Sequence, residues 1–237
     1  MANEIGALLV MDMVHIASLV AAGTYLAPIN CSHPTTASTY MTLCGQDFDL
    51  AFSRELISAV NRTLFPGLQI SKNMALLAGR AACFMESAGP AFRRYAEAFV
   101  GNARTLAATL CEAGLPAVMG GTDTHVVLVE VGRLGLAASE AEQALATVGV
   151  TVSYAWVPSS VNDMAVPREL RLGAPLATAR GLPNETFAEL ARRIARIPSV
   201  TAACRTGGEC PGAFVLREAG AAIGEKAAAY PAAAAWR

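Results

Sequence analysis

Residues 5–11, with the sequence Ile-Gly-Ala-Leu-Leu-Val-Met, form a short apolar run that ends at Asp12. An uninterrupted apolar run of this length is typical of a parallel strand that is buried on both faces of a sheet. Such a strand needs hydrogen-bonded neighbours on both sides, and few other segments of the chain can supply them. The pattern predicts an α/β fold whose sheet is incomplete without a second polypeptide.

The remaining periodicity divides the chain into two regions. Strands are predicted at 35–42 and 47–52, and helices at 54–64, at 74–86 and from Pro90 to residue 110. The secondary-structure pattern changes after this helix, with predicted strands at 125–131, 149–153 and 169–173. We expect the α/β layer, a partial large domain, over residues 1–100 and a small α+β domain over residues 101–237.

Local signals also predict where the later helices begin and end. Ser139 and Glu142 have the spacing of a capping box for a helix at 140–148, and Asn184 would cap the next helix. Residues 201–213 are predicted to form a loop, and residues 214–229 a closing helix.

Composition excludes several classes of protein. Hydrophobic residues make up 54% of the chain and charged residues 16%, which excludes a disordered protein. The net charge of −1 gives no basic excess for nucleic-acid binding. Residues 5–22 could resemble a membrane span, but Asp12 and His15 interrupt them, and no basic segment of a signal peptide precedes them. These features predict a cytoplasmic protein that binds neither membrane nor nucleic acid.

The six cysteines are scattered and include no Cys-x-x-Cys pair, so no metal site is expected. Free thiols in a reducing compartment are the main interpretation. The closest pair, Cys204 and Cys210, leaves a disulfide or a metal site open as the alternative.

Five segments carry a family resemblance, namely 12–20 (DMVHIASLV), 36–45 (TASTYMTLCG), 65–69 (FPGLQ), 120–125 (GGTDTH) and 170–175 (LRLGAP). In this order and spacing they resemble the C-terminal half of serine hydroxymethyltransferase, a family of fold-type I enzymes that use pyridoxal phosphate (PLP). The resemblance implies the C-terminal part of a fold-type I large domain followed by the small C-terminal domain.

The resemblance also implies roles for individual residues. Asp12 would lie against the pyridine nitrogen of PLP and keep it protonated, and His15 and Ser38 would be further cofactor contacts. Arg171 would bind the substrate carboxylate, a task that suits the guanidinium fork. Taken alone, Asp12 could instead cap a helix, His15 could be a satisfied core histidine, and Arg171 could form a surface salt bridge.

The departures from the family pattern are equally informative. Met41 stands where the family has the lysine that forms the Schiff base with PLP, and Tyr40 stands at the preceding histidine position. A thioether cannot form an imine or relay a proton. The two lysines of the chain, Lys72 and Lys226, lie outside this motif. Ala155 aligns with an asparagine that contacts folate, so folate is not expected as a cofactor.

Two functional hypotheses follow. In the first, the chain is a serine hydroxymethyltransferase-like subunit that needs a related partner polypeptide for the missing N-terminal half, for the reactive lysine and for PLP binding. The complex would act on a β-hydroxy-α-amino acid by aldolase, transaldolase or hydroxymethyl-transfer chemistry, and the chain alone would be inactive. In the second, the chain is a pseudoenzyme that scaffolds or regulates an active homologue. A decayed fragment is a third reading, which the mutually consistent helix signals disfavour.

Overall fold

The computed structural model describes residues 1–45, 49–53, 56–68, 71, 73–157, 166–205 and 221. Contacts divide the chain into two units, residues 1–97 and residues 98–237, and helix α4 (Pro90–Glu112) contributes residues to both. Each unit contains helices and a three-stranded sheet. This mixture is consistent with the α/β class that the sequence predicts.

The first unit is built on a sheet with the strand order β1-β2-β3. Its strands are β1 (Met11–Asp12), β2 (Pro34–Ser38) and β3 (Asp49–Ser53). Strands β1 and β2 are parallel, with Asp12 opposite Thr36, whereas β2 and β3 are antiparallel. Among the residues described before α4, the α-helices are α1 (Ala17–Ala21), α2 (Ile57–Arg62) and α3 (Met74–Ser87).

The prediction of a buried central strand at residues 5–11 is wrong for the structure described. Only Met11 and Asp12 form a strand, and Leu8 and Val10 are each 61% exposed. Burial on both faces requires strands on both edges, and among the described residues β1 pairs with β2 alone. Upstream of β1, Leu9 donates its backbone N–H to Nδ1 of His33 at 2.9 Å instead of joining a ladder.

The threonine-rich strand is shorter than predicted, because the chain turns after Ser38. The turn is closed by hydrogen bonds from Gly45 N to Thr39 O at 2.8 Å and from Cys44 N to Met41 O at 3.1 Å. The strand predicted at 47–52 is confirmed in its described part by β3, and the helix predicted at 74–86 is confirmed by α3.

The second unit has an antiparallel sheet with the strand order β4-β6-β5. Its strands are β4 (Val126–Glu130), β5 (Ser153–Ala155) and β6 (Glu169–Gly173), and its further helices are α5 (Ala138–Ala146), α6 (Pro175–Ala179) and α7 (Asn184–Arg205). One sheet face is buried through Val127, Val129, Leu170 and Leu172. Cross-strand pairs project to the same face, so the alternate residues of β4 and β6 project to the other one.

Several boundary predictions in this unit are wrong, and the strand predicted at 149–153 is instead β5 at Ser153–Ala155. Helix α5 begins two residues early, and Glu140 rather than Glu142 accepts the N–H of the residue before the helix, Ala137, at 2.7 Å. Asn184 does not cap α7, because its side chain instead bonds Asn102 and Thr105 of α4 at 3.1 and 3.0 Å. Helix α7 continues to Arg205 where a loop was expected from residue 201, and the predicted helix at 214–229 lies outside the described residues apart from residue 221.

The main interpretation expected every cysteine to be a free thiol, and one of the described cysteines is not. Cys31, Cys44, Cys83 and Cys111 are free, whereas Cys204 is disulfide-bonded. Cys210, the neighbour considered for such a bond, lies outside the described residues. Within the described ranges, no helix combines the length and the apolar character needed to cross a membrane.

Candidate functional site

The first candidate site lies at the carboxyl end of the parallel pair β1 and β2. Asp12 is the last residue of β1, and the next residue donates its backbone N–H to Thr36 O at 2.8 Å. Because the strands run in the same direction, the residues after β2 leave the sheet at the same edge as Asp12. Open α/β sheets bind ligands at this edge. The fold therefore brings Asp12 to the same sheet edge as Ser38 and the segment containing Met41.

The Asp12 carboxylate forms a local turn and leaves one oxygen unbonded. Its Oδ1 accepts the backbone N–H of Val14 at 3.0 Å, while Oδ2 has no hydrogen bond to any described residue. Helix α1 begins at Ala17, and its N-cap residue is Ile16, so the helix-cap alternative for Asp12 is wrong. The exposed carboxylate can accept a hydrogen bond from a ligand at the sheet edge.

Ser38 is 1% exposed, and its Oγ has no hydrogen-bond partner within the described ranges. A buried hydroxyl without a partner costs roughly 1–3 kcal/mol. A polar atom from a ligand, a water molecule or another segment would remove this cost. Ser38 thus combines a position at the end of β2 with an unmet need for a hydrogen-bond partner.

The segment after β2 contains Tyr40 and Met41, the two residues that depart from the motif discussed in the sequence. Tyr40 is 50% exposed and Met41 is half-buried. The next residue, Thr42, is buried, and its Oγ1 lies 2.5 Å from Oγ of Ser18 in α1. This hydrogen bond fixes the position of the segment relative to α1. Lys72 and Lys226, the two lysines of the chain, both lie outside the described residues.

His15 follows β1 and is exposed. The alternative interpretation of a buried core histidine is therefore wrong. The buried histidine is His125, which is 5% exposed and packs edge-on against the ring of Phe99, with 5.9 Å between ring centroids.

Arg171 lies on β6, the central strand of the second sheet, opposite Leu128 on one side and Ser153 on the other. Its side chain is on the face opposite the buried leucines and is exposed. It forms no ion pair with any residue that the structure describes, so the salt-bridge alternative is wrong there. A guanidinium without a counter-ion among the described residues can bind a carboxylate ligand.

A groove of about 550 Å³ lies beside this face of the second sheet, lined by Val118, Met119, Gly120, Gly121, Thr122, Asp123, Thr124, Val126 and Leu128. This volume suits a small molecule. Leu128 contributes to the groove and is the cross-strand neighbour of Arg171, which places the groove beside the strand position of Arg171. The sequence treated residues 120–125 only as a fold motif and did not predict the groove.

Two other features of the second unit bear on ligands. Ala155 ends β5, and its side chain offers no hydrogen-bonding atom. Over the described ranges, no three His, Cys, Asp or Glu residues are grouped so that they could hold a metal ion.

The sequence missed the hydrogen bond between Ser18 and Thr42 and the packing of Cys83 against the segment 43–45. The Cys83 Sγ lies 3.4 Å from the Leu43 carbonyl oxygen. These pairs are 24 and 40 residues apart in the chain, and neither residue type has a spacing signal that would identify a partner at such a separation.

Comparison with known proteins identifies relatives. A family model described as serine hydroxymethyltransferase matches residues 1–194. A serine hydroxymethyltransferase of Koribacter versatilis is 38% identical over 182 residues, covering 76% of this chain and 43% of the relative. One from Acidobacterium capsulatum is 38% identical over 194 residues, covering 81% of this chain and 45% of the relative. The chain thus spans less than half the length of these curated relatives.

Proposed function

The chain belongs to the serine hydroxymethyltransferase family of fold-type I enzymes, which normally use PLP, and from this premise we propose that it is one subunit of a PLP-dependent complex. The complex acts on a β-hydroxy-α-amino acid in the cytoplasm, by aldolase, transaldolase or hydroxymethyl-transfer chemistry. A related partner polypeptide supplies the N-terminal half. Residues 1–100 form part of the large domain, and residues 101–237 form the small domain.

The single observation that carries this proposal is that Asp12, Ser38 and the segment with Met41 lie at the same edge of the first sheet. Asp12 and Ser38 offer an exposed carboxylate and a buried hydroxyl without a partner among the described residues, and both fit a cofactor with polar ring atoms. Met41 does not fit covalent attachment, because its thioether cannot form an imine. These residues favour a chain that holds PLP while another polypeptide provides the reactive amine.

Each residue then has a definite task. PLP, when bound, withdraws electrons from the substrate Cα. The Asp12 carboxylate holds a proton at the pyridine nitrogen, and the Ser38 hydroxyl gains the hydrogen-bond partner that it lacks. Arg171 binds the amino-acid carboxylate through its guanidinium fork, and His15 is a further cofactor contact. Folate is not a cofactor, because Ala155 cannot replace an amide ligand.

The need for a partner is supported by the surface just before β1. Ile5, Leu8 and Val10 are 80%, 61% and 61% exposed, and the outer edge of β1 pairs with no described strand. Exposed apolar side chains beside an open strand edge favour association with another polypeptide. An additional strand would pair with the open edge of β1.

A second candidate function is a pseudoenzyme that scaffolds or regulates an active homologue. Met41 favours it, because the substitution removes the amine from a position that the family otherwise retains as lysine. Met41→Lys separates both candidates from a site that lacks only the lysine. A partner that supplies the lysine, or a scaffold, gives no gain in activity, whereas a site that is only one residue short gives a clear gain.

Reconstitution tests the primary proposal. The chain is mixed with a polypeptide covering the part of the Koribacter versatilis relative that it does not match, and the mass of the complex is measured by light scattering. We expect a stoichiometric complex that binds PLP and forms glycine from L-threonine or L-serine. Val10→Glu should weaken assembly, while Leu176→Glu, at a 76% exposed position in the second unit, should not. A chain that is monodisperse alone and binds neither partner nor PLP would contradict the proposal.

Substitution of Arg171 tests the substrate contact within the active complex. Loss of a charge-assisted bidentate contact costs about 1.5–3 kcal/mol, so Arg171→Ala should raise the KM for the amino acid roughly 10- to 100-fold. Arg171→Lys should recover part of the loss, because it keeps the charge without the fork. Arg196→Ala, at an exposed arginine of α7, is the control and should leave the KM unchanged. An unchanged KM in Arg171→Ala would remove Arg171 from the substrate site.

A further inference from the structure

Two cysteines of the first unit approach each other across the turn that follows β2. Cys83 lies on α3 and is 5% exposed, and its Sγ donates to the Leu43 carbonyl oxygen at 3.4 Å. A Cβ added to Gly45 would lie 2.7 Å from the same sulfur. The Cys83 sulfur therefore packs against both residues that flank Cys44.

These contacts bound the distance from the Cys83 sulfur to the Cys44 backbone. A carbonyl oxygen lies about 2.8 Å from the next Cα, so the Cys83 sulfur is within about 6 Å of the Cys44 Cα. Disulfide-linked cysteines have Cα atoms about 4.4–6.8 Å apart, and each side chain contributes a rotatable Cα–Cβ bond. The contacts place the Cys83 sulfur beside the Cys44 backbone, so a disulfide requires rotation about the Cα–Cβ bonds to bring the two sulfurs together.

The two thiols differ in access and in surroundings. Cys44 is exposed and has a φ of 59°, a left-handed conformation that is uncommon for residues other than glycine. The hydroxyl of Tyr95 bonds to the Cys44 sulfur and favours its thiolate. Partial burial of the sulfur outweighs this bond and raises the pKa of Cys44, and burial and the nearby Cys44 and Glu86 raise the pKa of Cys83. Cys44 is the member that a reagent reaches first.

We propose that Cys44 and Cys83 form a thiol–disulfide exchange site for low-molecular-weight disulfides. The Cys44 thiolate attacks one sulfur of the small disulfide, whose S–S bond breaks, and the released thiolate takes up the proton that Cys44 lost. The Cys83 sulfur then attacks the Cys44 sulfur of the mixed disulfide, and a second small thiol leaves with the Cys83 proton. Two protein thiols are oxidised, and one small disulfide is reduced to two thiols.

The resulting bond would tie the turn that carries Tyr40 and Met41 to α3. The turn leads from β2 to the cysteine pair, so oxidation would restrict the segment at the candidate cofactor edge. The exchange itself requires neither PLP nor a partner chain. It therefore stands or fails separately from the proposed function.

The test treats the purified chain with oxidised glutathione in the absence of oxygen, blocks free thiols with iodoacetamide and maps disulfides by mass spectrometry. Wild type should yield a peptide linked between Cys44 and Cys83. Cys83→Ser should accumulate a glutathione adduct at Cys44, and Cys44→Ser should leave Cys83 without an adduct. Cys31→Ser, which removes an exposed thiol elsewhere in the unit, should leave the linked peptide unchanged.

Three results would overturn the proposal. They are a stable glutathione adduct on wild-type Cys44 without the linked peptide, a bond from Cys44 to Cys31 or Cys111, and no reaction at Cys44. Circular dichroism establishes whether each variant is folded. If a variant is not, the peptide map of the wild type decides the question alone.

Discussion

At the scale of single residues, the turn after β2 depends on the close packing of Gly45 against Cys83. Gly45 has no side chain, and Cys83 occupies the space that one would need. Ser38 keeps a buried hydroxyl without a described partner, which stable cores avoid, and Asp12 presents an exposed carboxylate at the same sheet edge. Met41, in the same turn, brings no such polar atom. The residues at this edge are therefore suited to holding a ligand and unsuited to a covalent bond with it.

Gly45→Ala tests the close packing of the turn. The added methyl group would lie 2.7 Å from the Cys83 sulfur and 3.1 Å from Thr39 Cβ, so we expect a loss of about 1–3 kcal/mol in the free energy of unfolding. Gly101→Ala in α4 is the matched control, because its added methyl meets no atom within 4 Å. The control should be neutral or stabilising, since alanine favours the helix. Equal effects in urea unfolding would refute the packing argument.

At the scale of elements, the segment after β2 is held from two sides. Ser18 in α1 and Thr42 share a buried hydrogen bond of 2.5 Å, and α3 contributes Cys83. Helix α3 otherwise buries little, because only Cys83 and Ser87 of its residues are buried, whereas Met74 and Met85 are 66% and 79% exposed. A helix with apolar residues on its exposed side favours a covering partner.

A double-mutant cycle measures the contact between α1 and this segment. Ser18→Ala or Thr42→Val alone leaves one buried hydroxyl unpaired, so each should lower the free energy of unfolding by about 1–3 kcal/mol. The double variant should cost clearly less than the sum of the two, because no unpaired hydroxyl remains. Strict additivity in chemical unfolding would show that the two hydroxyls do not interact.

At the scale of the whole molecule, the two units differ in their titrating groups. Cys44, Cys83 and Tyr95 lie together in the first unit, and each has a pKa raised mainly by burial. In the second unit, Arg171 and the groove beside β4 occupy the open face of the sheet. Alkaline conditions should therefore weaken the unit that contains the cysteine pair.

The expected pH dependence follows from these raised pKa values. As the pH rises, the unfolded chain releases the thiol protons near the usual value of 9.0 and the phenol proton near 10.0, while the folded chain retains them. Their contribution to stability is complete below pH 9.0 and is lost as the pH rises through the folded values. Urea unfolding between about pH 8 and about pH 10.5 measures the decline. Tyr95→Phe should make it shallower above pH 10.0, and an unaltered slope would contradict the assignment.

The sequence alone determined the family, because five separated motifs matched in order, and it determined the elements whose signals are local. The strand at 169–173 and the helix at 74–86 were predicted within a residue, since period and flanking residues act over short distances. It also identified the substitution at position 41, which is a matter of residue identity alone.

Only the tertiary structure decided what surrounds those elements. It left the apolar run at 5–11 exposed, turned Asn184 from a cap into a partner of α4, and set Cys83 beside the turn. It also exposed Arg171 on a sheet face next to a groove. Burial and long-range hydrogen bonds depend on which elements pack together, and no pattern of a few neighbouring residues encodes a contact with a residue 40 or 82 positions away.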